Sequence, residues 1–229
     1  MAEFLVKELE GTRFVQIGLN DEMVRVEAGA LNYYSGDIRI HSPVVPSVGR
    51  LVTSLLANEA VYRPSYTGSG VITLESSLGG FHFLDLDGET WLLERGAFLA
   101  SEGTVEVGFR REPIRTAIWT GRGLIYLETR VRGSGRVVMT TRGPVQEIQL
   151  RPGQRFAAES DSVIARTGDV SFTVHRATTN FLGFLTSGEG WVRVYEGTGR
   201  SLLNPTPFWR LRVFADRGKK PDLAARATA

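Results

Sequence analysis

The sequence predicts an all-β fold, and three observations carry that expectation. Apolar and polar residues alternate through stretches such as Phe14-Val15-Gln16-Ile17-Gly18-Leu19, the period-two pattern of a strand with one buried face. Twenty-six glycines are spread over 229 residues, which suits short strands joined by tight turns. The third observation is internal recurrence. The stretch Glu94-Arg95-Gly96-Ala97-Phe98-Leu99-Ala100-Ser101-Glu102-Gly103 is matched 67 positions earlier, from Glu27-Ala28-Gly29-Ala30, and 65 positions later, from Glu159-Ser160-Asp161-Ser162.

Taken in order, the elements form three passes. In the first, Phe4-Leu5-Val6 and Phe14 to Leu19 flank a turn at Glu10-Gly11-Thr12. A turn at Asn20-Asp21 leads to a strand from Met23 to Val26, a corner at Gly29-Ala30-Leu31, a turn at Ser35-Gly36-Asp37 and a strand at Ile38-Arg39-Ile40. Residues 50–57 carry apolar side chains at helical spacing and predict a short helix. The second pass holds strands at Val71 to Leu74, Phe81 to Leu86 and Trp91 to Leu93, with Asp87-Gly88 as a turn, a connector from Pro113 to Gly121 and a strand from Leu124 to Leu127. The third has strands at Arg136 to Met139, Ile148 to Leu150, Phe156 to Ala158, Trp191 to Tyr195 and, to close, Arg200 to Leu203.

Gly68-Ser69-Gly70, Gly133-Ser134-Gly135 and Gly197-Thr198-Gly199 fall 65 and 64 residues apart and are expected between strands, marking the passes. None opens a helix with a following Lys-Ser/Thr, so backbone geometry explains them better than phosphate binding. Units of this length exceed solenoid repeats of about 20–50 residues. Each is expected to be a small β-sandwich or double-stranded β-helix unit, with short helical connectors. The expectation is one domain over residues 1–214, with repeats at about 4–70, 71–135 and 136–213, and a flexible tail over 215–229.

Composition narrows the function classes. There is no cysteine, which excludes disulfides, thiolate catalysis and Cys-ligated metals. No apolar run approaches the roughly 18 residues of a membrane-spanning helix. The N-terminus has neither the basic start and apolar stretch of a secretory signal nor the Arg-rich character of a transit peptide, so a cytoplasmic location is expected. Net charge is only +2, but residues 1–109 hold 7 basic and 15 acidic side chains, whereas residues 110–155 hold 10 arginines against 3 glutamates. A chain so divided can complement itself or a second copy.

Glu27-Ala28-Gly29-Ala30-Leu31 with Ser35-Gly36-Asp37-Ile38, then Tyr66-Thr67-Gly68-Ser69-Gly70, then Leu84-Asp85-Leu86-Asp87-Gly88-Glu89 with Gly96-Ala97-Phe98-Leu99-Ala100, follow one another in a characteristic order. Gly188-Glu189-Gly190-Trp191 ahead of Tyr195-Glu196-Gly197-Thr198-Gly199 completes the set. In these motifs, across roughly residues 14–205, the chain resembles the altered inheritance of mitochondria protein 24 family. The resemblance implies three repeats, each similar to a subunit of the tryptophan RNA-binding attenuation protein, and a homotrimer arranged as a ring. It brings no catalytic residues with it. A membrane-protein partner is conceivable by family analogy alone. The chain departs from the family at Leu203-Asn204-Pro205-Thr206-Pro207, where a Gln-Thr-Arg type of ending is common, so its last strand is expected to be capped differently.

Candidate sites are few. Arg130 and Arg132 alternate with Val131 on a strand next to Gly133 and Arg136, and Tyr126 shares their parity, so a basic face with an aromatic could contact RNA or a small ligand. The competing reading pairs this basic region with the acidic first pass of a neighbouring subunit. Asp85, Asp87 and Glu89 alternate and could share a face for acid-base work, although a solvated strand face is the simpler account. His41, His82 and His175 lack chelating spacing. The expectation is a non-enzymatic protein, without catalytic, cofactor or metal residues, that assembles into a homotrimeric ring as a scaffold or binding platform. The alternative is an RNA or small-ligand binder using Arg130, Arg132 and Arg136.

Overall fold

A computed structural model describes residues 1–42, 63–77, 79–111, 127–159, 162–177 and 191–205. The helix expected over 50–57, the connector from Pro113 to Gly121, Tyr126 and the tail over 215–229 lie outside them. Every regular element among the described residues is a β-strand, and the pairing is antiparallel throughout.

The chain opens with a hairpin of β1 (Glu3–Leu9) and β2 (Thr12–Val26). Glu10 and Gly11 both take left-handed backbone, with φ of 51° and 77°, the turn whose twist matches that of the strands it joins. Then come β3 (Leu31–His41), β4 (Ser65–Ser77), β5 (Phe81–Leu93), β6 (Phe98–Glu102), β7 (Glu106–Arg111) and β8 (Leu127–Thr140). The last group is β9 (Gln146–Leu150), β10 (Arg155–Glu159), β11 (Val163–Thr167), β12 (Val170–Arg176), β13 (Trp191–Gly197) and β14 (Gly199–Leu203). One sheet has 11 strands, in the order β3-β4-β2-β6-β8-β5-β11-β14-β9, with β1 also on β2 and β7 also on β8. A second sheet has three, in the order β10-β13-β12. The alternating apolar residues build three core clusters, one around Ile17, Ile72 and Leu74, one around Trp91, Phe98 and Met139, and one around Val170, Phe172 and Tyr195.

The same bonds occur again at the offsets seen in the sequence. Ala30 N donates to Glu27 O, Ala97 N to Glu94 O and Ser162 N to Glu159 O. Glu75 N donates to Ala30 O, Thr140 N to Ala97 O and Asn204 N to Ser162 O. Register shifts fall between Leu31 and Tyr33, between Phe98 and Ala100, and between Val163 and Ala165. A left-handed residue interrupts the chain at Asp21, Gly88 and Gly153, again at matched positions.

Some boundaries differ from expectation. Asn20-Asp21 and Asp87-Gly88 are bulges inside the long strands β2 and β5, and Ser35-Gly36-Asp37 lies within β3. The Gly-x-Gly motifs were expected between strands, yet β4 runs unbroken through Gly68-Ser69-Gly70 and β8 through Gly133-Ser134-Gly135. Only Gly197-Thr198-Gly199 separates two strands. The physical reason is close approach. A Cβ on Gly68 or Gly197 would overlap the carbonyl oxygen of Asp37 or Asp169, and one on Gly133 would lie 3.1 Å from that of Thr104. All six glycines have φ between 113° and 154°, which L side chains rarely adopt. A two-stranded ribbon can therefore bend there without losing its partner.

Gly68→Ala and Gly197→Ala should each cost about 2–4 kcal/mol in urea unfolding. Gly29→Ala, left-handed but with open space around its Cβ position, should cost only about 1 kcal/mol.

Candidate functional site

Two strand edges stand out once matched segments are compared. β2 pairs with β6 through Val24 to Glu102, Arg25 to Ser101 and Val26 to Ala100. β5 pairs with β11 through Trp91 to Thr167, Leu92 to Arg166 and Leu93 to Ala165, the same pairs moved along by 67 and 65 positions. All five residues of β6 and all five of β11 are buried in consequence. The matching segment of β3, residues 31–35, has no such neighbour among the described residues: Tyr33 is 53% exposed and Tyr34 44% exposed. β10, which matches the paired ends of β2 and β5, is likewise an edge, with Arg155, Ala157 and Glu159 exposed.

A crevice of about 610 Å³ lies where the β2 bulge meets the β8 bend. Glu22, Met23, Glu102, Thr104 and Gly135 line it, and the Met1 ammonium sits at its mouth on the Glu22 carboxylate. That contact raises the amine pKa and lowers that of Glu22. Glu102 is buried, and its Oε2 accepts the Arg136 amide at 2.9 Å.

Between the two sheets lies a buried charged group. Arg166 donates to Glu128 at 2.6 Å and to the Val170 carbonyl, and Arg193 pairs with Glu94. Both guanidiniums also lie over Phe172, with centroid distances of 5.2 and 4.7 Å. Tyr195 stacks on Phe156 at 4.9 Å, and burial pushes its phenol up to about 12. Arg63 is tied to Glu27 and Thr129 and rests over Phe98, and burial lowers its guanidinium to about 10.

The sequence profile of the family described as Mitochondrial biogenesis AIM24 matches residues 7–206. The chain belongs to the AIM24 family. It is 23% identical over 186 residues to an uncharacterized protein of Streptococcus pyogenes serotype M6, a match covering 77% of this chain and 74% of the relative. A crystal structure of another Streptococcus pyogenes protein superimposes with a TM-score of 0.73 at 20% identity, covering 96% of this chain and 100% of that one. That likeness shows a shared fold.

In this AIM24 chain two of the three arginines expected to form a basic face stand opposite acids. Arg130 and Arg132 do flank the buried Val131, but Arg132 stands opposite Glu106, and Arg136 is bidentate on Asp85 at 2.7 and 3.1 Å. The carboxylate trio is divided too. Asp85 serves Arg136, the bulge at Gly88 turns Glu89 to Arg200, and Asp87 is exposed. Hydrogen bonds from Arg136 hold Asp85 below the usual carboxylate range, the wrong direction for a general acid at neutral pH. His41 and His175 are exposed, and burial lowers the half-buried His82. Among the described residues no group of three His, Asp or Glu could hold a metal, and no helix is long and apolar enough to cross a membrane. Sequence reasoning did not single out the buried Arg166 and Glu128. The available signal was a charge inside strands beside residues that are themselves buried, Ala165 next to Arg166 and Thr129 next to Glu128.

Glu128→Gln should destabilise the fold by about 3–5 kcal/mol by leaving the Arg166 charge buried beside a neutral amide, and Glu128→Leu with Arg166→Met should recover much of the loss. The Asp85–Arg136 pair stabilises the fold above about pH 4, and its contribution fades as pH falls through the lowered Asp85 pKa. NMR titration of Arg136→Met should show Asp85 back in the ordinary range.

Proposed function

We propose that the chain comprises three tandem units and assembles head to tail into a homotrimeric ring, which acts as a non-enzymatic cytoplasmic scaffold or binding platform. The observation that carries this reading is the unequal burial of matched strands. Segments 98–102 and 163–167 are covered by a preceding strand, whereas among the described residues 31–35 is bare and β10 has a free edge. Extending the offsets by one step pairs Phe156 of one copy with Ser35 of the next, Ala157 with Tyr34 and Ala158 with Tyr33. Glu27 N donates to Leu99 O and Glu94 N to Ile164 O, so the third bond of the series runs from Glu159 N to Asn32 O of the next copy. Gly103 N donates to Met23 O and Gly168 N to Thr90 O, so Gly36 N would meet Arg155 O, bringing Arg155 beside Asp37. Because the joined surfaces differ, the contact is heterologous, and such contacts end in rings when the rotation closes. Three copies follow the family resemblance, as does the likeness of each unit to an attenuation-protein subunit.

Sedimentation should give about three times the 25.2 kDa chain mass. Glu159→Pro removes the donor aimed at the next copy, and Ala157→Asp sets a charge against Tyr34. Each should yield a folded monomer with an unchanged far-UV spectrum. A wild-type monomer at micromolar concentration, or variants that remain trimeric, would overturn the proposal. Arg130, Arg132 and Arg136 supply the subordinate reading, RNA or small-ligand binding, and the acids opposite Arg132 and Arg136 weigh against it. RNA retention on a filter that falls steeply with salt would favour it.

A further inference from the structure

The outer edge of β1 offers a contact separate from the one that joins β10 to β3. Among the described residues β1 pairs with β2 alone, and its Leu5 and Val6 are 39% and 40% exposed. Most of the strand precedes residue 7, where the match to the family profile begins. Which backbone groups face outward follows from the hairpin. Glu10 and Gly11 form a two-residue turn, so Leu9 and Thr12 exchange the hydrogen bonds that close it. Bonding alternates along an antiparallel strand, so Lys7, Leu5 and Glu3 also bond to β2, while Glu8, Val6 and Phe4 turn their N–H and C=O groups to the open side.

We infer that β1 is a self-recognition edge, at which two copies of the chain pair antiparallel about Leu5. Outward groups must meet outward groups, so the two-fold axis of such a pair falls on a residue and not between two. With Lys7 on the axis two lysines meet, and with Val6 there Phe4 faces Glu8 and Leu5 faces Lys7. With Phe4 there, Glu3 faces Leu5. Only Leu5 on the axis sets Glu3 against Lys7 at both ends, Phe4 against Val6 and Leu5 against Leu5. The charges then meet at non-hydrogen-bonded positions, where side chains come closest, and Phe4 and Val6 exchange the backbone bonds. A lysine on an edge strand usually discourages pairing. Here Lys7 turns away other strands and admits this one, because its own copy brings Glu3. The contact is isologous, so it closes at two chains whether or not a ring forms.

One ladder of this length buries less than a lasting interface, so the pair is transient at micromolar concentration and is read by trapping it covalently. The chain has no cysteine, so a single introduced thiol reports its own neighbour. Non-hydrogen-bonded pairs bring Cα atoms to about 4.5 Å, within disulfide reach. Under a copper–phenanthroline oxidant, Leu5→Cys should give a disulfide-linked dimer on a denaturing gel. Lys7→Cys should not, because its thiols would stand about 13 Å apart along the strands. Adding Lys7→Glu to Leu5→Cys should slow cross-linking about tenfold, since two attractive pairs become repulsive, and adding Glu3→Lys as well should restore it. Glu159→Pro, which opens the contact between β10 and β3, should leave the cross-link unchanged, so the two contacts succeed or fail separately. No dimer from Leu5→Cys, equal cross-linking of Lys7→Cys, or no rescue by the charge swap would rule the inference out.

Discussion

The structure depends on one steric constraint, the close approach of two paired strands where a ribbon bends. At Gly197-Thr198-Gly199 the chain leaves the three-stranded sheet as β13 and enters the large sheet as β14. Its partner crosses the same way, from β11 to β12, within two residues at Gly168-Asp169. Both strands must turn together while keeping their hydrogen bonds, since a buried unpaired backbone group would cost more than the bend. Only glycine allows the required φ with the opposing carbonyl so near. Close approach to the carbonyls of Asp37 and Thr104 bends the earlier ribbons too, so one local rule recurs through the described residues.

That rule also accounts for where the charged residues lie. Bending brings strands from distant parts of the chain together, and the acidic first half meets arginines of the second. Glu94 finds Arg193, Glu89 finds Arg200, and Asp85 finds Arg136. Part of the uneven charge along the chain is thus resolved within one copy. Exposed pairs such as Asp85–Arg136 contribute little. The buried Arg166–Glu128 pair acts differently: it links β8, in the large sheet, to the β11–β12 corner that carries the small one, and correct packing is the arrangement that satisfies both charges.

Much of the fold was legible because strand pattern and glycine spacing are local. Phe14 to Leu19 alternates as a half-buried strand must, and the offset of 67 positions joined residues that do make the same bonds. The bulges were misread as turns because Asn20-Asp21 and Asp87-Gly88 have turn chemistry, and a bulge uses the same left-handed residue without ending the strand. The candidate site was less legible. Arg132 and Arg136 form a basic face in the sequence, but the acids opposite them, Glu106 and Asp85, are 26 and 51 positions away. Cross-strand neighbours of that kind depend on register, which a single sequence does not specify.

Two bulges and one turn, at matched places, show how a common backbone can be put to different uses. Asp21, Gly88 and Gly153 occupy matched left-handed positions, and two of them are glycine, the residue that fits at least cost. Asp21 accepts the penalty, and its amide is anchored by Ser69 Oγ at 2.9 Å. The next residue is then aimed at the junction: Glu22 into an open crevice, Glu89 onto Arg200, and Gln154 back onto the Arg151 amide at 3.0 Å. In the last case the side chain closes its own turn and leaves β10 uncharged along its centre, where Phe156-Ala157-Ala158 lie. A neutral edge can accept another strand without burying an unpaired charge, whereas the carboxylates at the two earlier bulges require a cation. The difference between a charged junction and a neutral edge thus comes down to one residue after each left-handed position.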